Sequence, residues 1–291
     1  MELLKDDSTG HIHFRLGNIY AEGLGVPRDP KKALFHYEQA LPLLEAHRHT
    51  RDPILACDLG YLYKRGIAVP ENFQEAFQLF TLSADQGYSK AQNNLAILYK
   101  AGSGVPKDVH KAKELFHLAA NQGNRNAQFN LGKFYERTEV DLPKALHYYQ
   151  LASEQGNAKA QFRMGWMYEK GKGVAADLAK SFRYYKLAAD QGRAKAQLFV
   201  SLMYVDGDGV EKNWSEGFRY CKMAAEGKEK RAVLLLSEMY EEGIGVEVNI
   251  PESMRILKEL ADTGEKAGAV KLVCSYINNK KQLKPGLTWI I

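Results

Sequence analysis

The chain has 291 residues, with 40 Lys and Arg against 35 Asp and Glu and a formal net charge of +5. Its apolar (45%) and charged (26%) fractions describe a globular chain and exclude a disordered one, and the small positive excess does not by itself call for a nucleic-acid partner. Cys57, Cys221 and Cys274 are far apart, which excludes a disulfide framework and any Cys-x-x-Cys motif and points to a reducing compartment.

The sequence repeats itself. Tyr20, Tyr63, Tyr99, Tyr135, Tyr168, Tyr204, Tyr240 and Tyr276 are spaced by 43, 36, 36, 33, 36, 36 and 36 residues. A glycine series (Gly87, Gly123, Gly156, Gly192, Gly227, Gly264) and an Asp/Asn series (Asp29, Asn72, Asp108, Asp141, Asp177, Asn213, Asn249) keep nearly the same period. A period of this length marks a solenoid of repeated units.

In chain order, the N-terminus lacks a basic region followed by an apolar run, so no signal peptide is expected. Repeat one, about 9–51, carries seven extra residues around Leu41–Thr50, read as a longer second helix or a loop. Repeat two, 52–87, has Ala68 where the other loops place a second glycine, and Asn72 with Glu75 resembles a capping box. Repeat three, 88–123, shows the parts most plainly. Ala91, Leu95 and Tyr99 form the stripe of helix A, and Gly102-Ser-Gly104-Val105-Pro106 breaks it. Asp108 caps helix B, and Ala112, Leu115, Phe116, Ala119 and Ala120 form its buried face. Gly123 supplies the left-handed residue that ends it.

Repeat four, 124–156, lacks Gly-x-Gly at Glu136–Asp141 and is three residues short, which predicts a local change of curvature. Repeat five, 157–192, is the fullest copy. Repeats six (193–227) and seven (228–264) put Ser201 and Ser237 where helix A otherwise has glycine. Asn213 with Glu216, and Asn249 with Glu252, repeat the capping-box pattern. An eighth helix A, 265–279, lacks a helix B and reads as a cap. A basic then apolar tail, 280–291, follows. No period-two strand pattern occurs. The expected fold is all-α: a right-handed α/α superhelix of seven helix pairs and a capping helix, forming one domain over 1–279.

This unit resembles the Sel1-like repeat (SLR) family, a longer-looped relative of the tetratricopeptide repeats. Repeat five carries the resemblance most fully: Ala160, Met164-Gly165, Tyr168, Gly171-Lys172-Gly173-Val174, Asp177, Lys180, Tyr184-Tyr185, Ala188-Ala189 and Gly192. The resemblance covers about nine-tenths of the chain. It implies a scaffold or adaptor without a shared catalytic residue, in signalling, membrane-protein quality control or bacterial virulence.

Other chemistry is weak. The Gly-x-Gly pairs lie between helices, none follows a strand, and no phosphate-loop motif occurs. His11-x-His13 and His47-x-His49 lack the carboxylate and helical spacing of a metal motif. No cofactor or metal is expected, and the cysteines read as buried thiols.

The binding face is expected on the concave A helices. Advancing about 100° per residue, the positions −5, −1, +2 and +6 from the motif Leu form one stripe beside the core. The stripe offers Asp58, Tyr61, Lys90, Asn94 and Asn130, then a basic centre of Lys133, Arg137, Lys159, Arg163 and Lys170 around Trp166. Phe199, Leu202 and Leu235 extend it as an apolar stretch, with Glu238 and Glu242 beyond. Asn94 and Asn130 suit an extended peptide backbone. A partner segment with acidic residues beside an apolar anchor fits the row, and changing Asn130, Arg163 and Trp166 together should abolish binding. A docked tail, through Leu287, Trp289, Ile290 and Ile291, is an alternative cover for the apolar stretch. A nucleic-acid solenoid and an enzyme with an unrecognised site are the competing functions. The expected setting is cytoplasmic, or delivery into a host cell without a cleaved signal peptide.

Overall fold

A computed structural model describes residues 8–282, which hold fifteen α-helices and no strand. The chain falls into two compact units, Met1–Asp141 and Leu142–Ile291. Unit 1 contains α1 (His11–Glu22), α2 (Pro30–Ala46), α3 (Pro53–Arg65), α4 (Phe73–Ala84), α5 (Ser89–Ala101), α6 (Val109–Asn121) and α7 (Arg125–Arg137). Unit 2 contains α8 (Leu142–Glu154), α9 (Ala158–Lys170), α10 (Leu178–Asp190), α11 (Ala194–Asp206), α12 (Trp214–Glu226), α13 (Lys230–Glu242), α14 (Ile250–Asp262) and α15 (Lys266–Gln282). Within each unit every helix packs on the next in the chain, the arrangement of an all-α solenoid. The extra residues of repeat one lengthen α2 to 17 residues, with Pro42 inside it. The capping helix runs on to Gln282, so Lys280 and Lys281 belong to it and not to a tail. The apolar residues Leu287, Trp289, Ile290 and Ile291 lie outside the described residues.

Each helix pair closes on one hydrogen bond that the motif does not advertise. The backbone N–H of the Asp/Asn cap donates to the carbonyl of the motif tyrosine: Asp29 to Tyr20, Asn72 to Tyr63, Asp108 to Tyr99, Asp141 to Tyr135, Asp177 to Tyr168, Asn213 to Tyr204 and Asn249 to Tyr240, all at 2.8–3.0 Å. This corrects the capping-box reading. Asn72, Asn213 and Asn249 do accept from the N–H of Glu75, Glu216 and Glu252. The cap's own N–H, however, is already committed to the tyrosine carbonyl, and the three glutamates pair with Arg48, Arg219 and Arg255 instead.

The glycine of helix A exists for packing. A Cβ on Gly165 would fall 2.6 Å from the ring of Tyr185, a fully buried side chain on the partner helix. Repeat six solves the same contact the other way round. In repeat five Ser181 on helix B donates to the carbonyl of Gly165 on helix A at 2.9 Å; in repeat six Ser201 on helix A donates to Gly217 on helix B at 2.7 Å. The departure at Ser201 is therefore matched by a glycine on the facing helix.

Helix B ends on a left-handed residue in each full repeat from two to seven, but not always on the expected glycine. Gly227 has φ −72°, and Lys228 takes the left-handed place with φ 61°. Lys228 is the residue in phase with Gly192 and Gly264, which accounts for the irregular spacing at Gly227. Ala68 (φ 61°) and Val140 (φ 54°) hold left-handed loop positions without glycine.

Candidate functional site

The four-residue row expected on each A helix is a real surface feature. From α3 through α11 its outer two residues are exposed and its inner two half-buried, apart from Asp58, which is buried. The outer pair sits at the ends of each helix and the inner pair in its middle, where neighbouring helices flank it.

In unit 1 the inner positions knit successive A helices with polar contacts. His11 Nδ1 lies 2.6 Å from Asp58 Oδ2, Lys64 Nζ donates to Asn94 Oδ1 at 3.0 Å, and Asn130 Nδ2 donates to Asn93 Oδ1 at 2.8 Å. Asp58 corrects its expected place as an accessible ligand group. It is 6% exposed, and burial raises its carboxyl above the ordinary value while the hydrogen bond from His11 opposes that rise. Asn94 and Asn130 spend part of their hydrogen-bonding capacity on these links, leaving less for a peptide backbone than the row alone suggested. Tyr61 is half-buried against Phe14, ring centroids 5.7 Å apart, and Lys90 is exposed. Lys133 is half-buried, with Nζ 5.8 Å from the Phe129 ring, and Arg137 is exposed. Lys100 joins them, though it lies outside the row. Burial, then repulsion from Lys133 and Arg137, lowers its pKa.

In unit 2 the inner positions are mostly apolar. The Phe199 ring sits 5.5 Å from Phe162 and 4.8 Å from Tyr185. Leu202 and Leu235 pack on Leu198, Ala224 and Ala232. Thus the apolar stretch is partly a seam between A helices, with only its outer surface left to solvent. The Arg163 guanidinium stacks 5.0 Å from the Trp166 ring centroid, both half-buried, and Lys159 is exposed above them. Lys170 is exposed and pairs with Glu169 at 2.6 Å. Glu169 also accepts from the Tyr185 hydroxyl at 2.7 Å.

Burial pushes the Cys57 and Cys221 thiols up to about 12, far from nucleophilic use, whereas Cys274 is exposed and departs from the expected buried thiol. Among the described residues no group of three or more His, Cys, Asp or Glu side chains is placed to hold a metal ion, and no described helix is long and apolar enough to cross a membrane.

The family model of the Sel1 repeat matches residues 13–41, 53–88, 89–124, 125–157, 158–192, 194–228 and 231–264. No curated protein sequence gives a match. Among solved structures, the chain is similar to a protective antigen of uropathogenic Escherichia coli that displays an SLR fold, with 26% identity and a TM-score of 0.70. That match covers 94% of this chain and 58% of the antigen, so this chain spans less than two thirds of the antigen's length. It is also similar to a Sel1 repeat protein from Oxalobacter formigenes, at 29% identity and a TM-score of 0.66, over 86% of this chain and 96% of that one. An immunity protein of Pseudomonas aeruginosa, 21% identical over 75% of this chain and 81% of its own with a TM-score of 0.53, shares the fold. With seven matched units along most of its length, the chain belongs to the Sel1 repeat family.

Proposed function

We propose that this chain is a non-catalytic scaffold that holds a protein segment on its A-helix face, the segment carrying acidic residues beside an apolar anchor. Sel1 repeats generally serve as protein–protein interaction scaffolds. The observation that carries the finer reading is the Arg163–Trp166 stack on α9, with exposed Lys159 and Lys170 on the same helix and Lys195, Phe199 and Leu202 on α11. Trp and Arg dominate interface energetics more than other residue types, and a half-buried pair is already ordered before a partner arrives. Arg163 covers a face of Trp166, which leaves the indole poorly placed to stack on a nucleobase. The likeness to a protective antigen of a uropathogen supports a bacterial setting, in which a cytoplasmic regulator and a host-directed effector are both consistent with the row.

The test is affinity capture from bacterial and host lysates, comparing the native chain with R163A/W166A after circular dichroism shows both folded. A protein retained by the native chain and lost from the variant is the expected result. Recovery of the same proteins with both would overturn this placement.

A further inference from the structure

The N-caps of the A helices differ in kind. Asn157 accepts from the N–H of Lys159 at 3.0 Å and of Ala160 at 3.1 Å, and Asn124 and Asp52 do the same for α7 and α3. Helix α11 begins instead on Arg193, whose side chain makes no cap bond. Among the caps Gly10, Asp52, Tyr88, Asn124, Asn157, Arg193 and Glu229 it is the one cation, set where a helix end is already positive. Position α11 thus gives up a favourable cap for an unfavourable charge.

What Arg193 does instead is also incomplete. Its guanidinium lies 5.1 Å from the centroid of the Phe162 ring, and Lys195 Nζ lies 5.5 Å from the same centroid. The side chain is half-buried. Its Nε is shut off from solvent and has no hydrogen-bond partner. Burial lowers the pKa of the group, and no neighbouring carboxylate offsets it. A half-buried cationic guanidinium with its Nε desolvated and unpaired is matched by a carboxylate, which the N–H donors of its planar fork can bind. Because Arg193 makes no side-chain hydrogen bond, an incoming acceptor is gained without breaking one.

We propose that Arg193, with Lys195 adding positive potential beside it, is a carboxylate subsite that takes an Asp or Glu side chain of a peptide segment lying on α9 and α11. This rests on the scaffold reading above and gives it one specific recognition point, outside the row that the helical period picks out.

The test uses the full chain with 15N-labelled arginine and an amidated, acetylated Glu-Phe-Glu-Leu peptide, against its Gln-Phe-Gln-Leu twin. The expected result is a saturable shift of the Arg193 Nε–Hε signal with the Glu peptide, at least tenfold weaker with the Gln peptide and reduced by salt. R193N should remove the binding while keeping the fold, since it restores the cap used at α9. No movement of the Arg193 signal, equal titration by the two peptides, or unchanged binding by R193N would each overturn the subsite. Lysate capture separates this from the broader reading. Capture lost in R163A/W166A but kept in R193N sinks the subsite alone; capture unchanged in both sinks the scaffold face as well.

Discussion

Unit 1 ties its A helices together with hydrogen bonds, whereas unit 2 mostly uses rings and aliphatic side chains. His11–Asp58, Lys64–Asn94 and Asn93–Asn130 are links of the first kind; Phe162–Phe199, and the packing of Leu202 and Leu235 on Leu198 and Ala232, are of the second. Only near its end does unit 2 return to charge, with Lys271 paired to Glu238. The backbone repeat is the same in both, so the fold accepts either chemistry at the seam. The two differ in how they fail. A polar link broken on one side strands its partner, while a truncated ring leaves a void.

The largest effect should come from the apolar seam. Phe162 is 6% exposed and touches Tyr185 and Phe199, so F162A should lose about 3–5 kcal/mol in chemical denaturation. A loss below about 1 kcal/mol would mean the seam collapses around the gap and the contrast with unit 1 is false.

Next comes the polar seam, where the effect should depend on pH. Removing His11 leaves the buried Asp58 carboxylate without that donor, so H11A should cost about 1–3 kcal/mol at neutral pH. Asp58 has a raised folded pKa, so its folded form favours the proton. Stability tied to it is therefore greatest in acid and falls as pH rises through that pKa. The H11A deficit should shrink on acidification, and D58N in the same chain should recover much of it at neutral pH. A deficit that is flat with pH would show that Asp58 ionisation is not its source.

R193N should go the opposite way and stabilise the chain by about 1 kcal/mol through the restored cap. Thermal melting would read this as a rise of roughly 2–4 °C for a region of this size. A fall in the midpoint would show that the Arg193–Phe162 contact contributes more than a cap.

The smallest effect concerns the α1–α2 pair. His13 and His36 place their Nδ1 atoms 3.1 Å apart, and burial followed by the charge of His13 lowers the His36 pKa. A depressed histidine contributes stability that is complete above the ordinary imidazole value and is lost as pH falls. Amide protection factors in α1 and α2, corrected for the intrinsic pH dependence of exchange, should therefore fall below about pH 6.5, and H36Q should remove that fall. An equal loss of protection in the native chain and H36Q would point elsewhere.

The architecture was legible because each unit writes its own helix stripe, breaker and cap into the sequence. The period located the helices of all seven pairs. What the sequence hid was set by neighbours. Asp58 occupies the same row position as Asn94 and Asn130, and nothing local says that His11 will reach across to bury it. Lys228 and Val140 adopt left-handed backbone because the solenoid forces the phase, against the preference of either side chain. Arg193 carries one local signal, a cation where α7 and α9 have Asn at the same repeat position. Lys100 lay one residue outside the row, and its proximity to Lys133 and Arg137 needs the packed units to be seen.

The bond from cap N–H to tyrosine carbonyl bears on how such chains grow. In six repeats it spans nine residues and in repeat four only six, yet its length scarcely changes. The cap bond thus forms at either connector length. A duplicated unit can shed residues at that bend and still form the bond that anchors its second cap. For protein engineers the bend is the natural splice point, where a grafted loop, an epitope or a protease site can be tried with that bond kept.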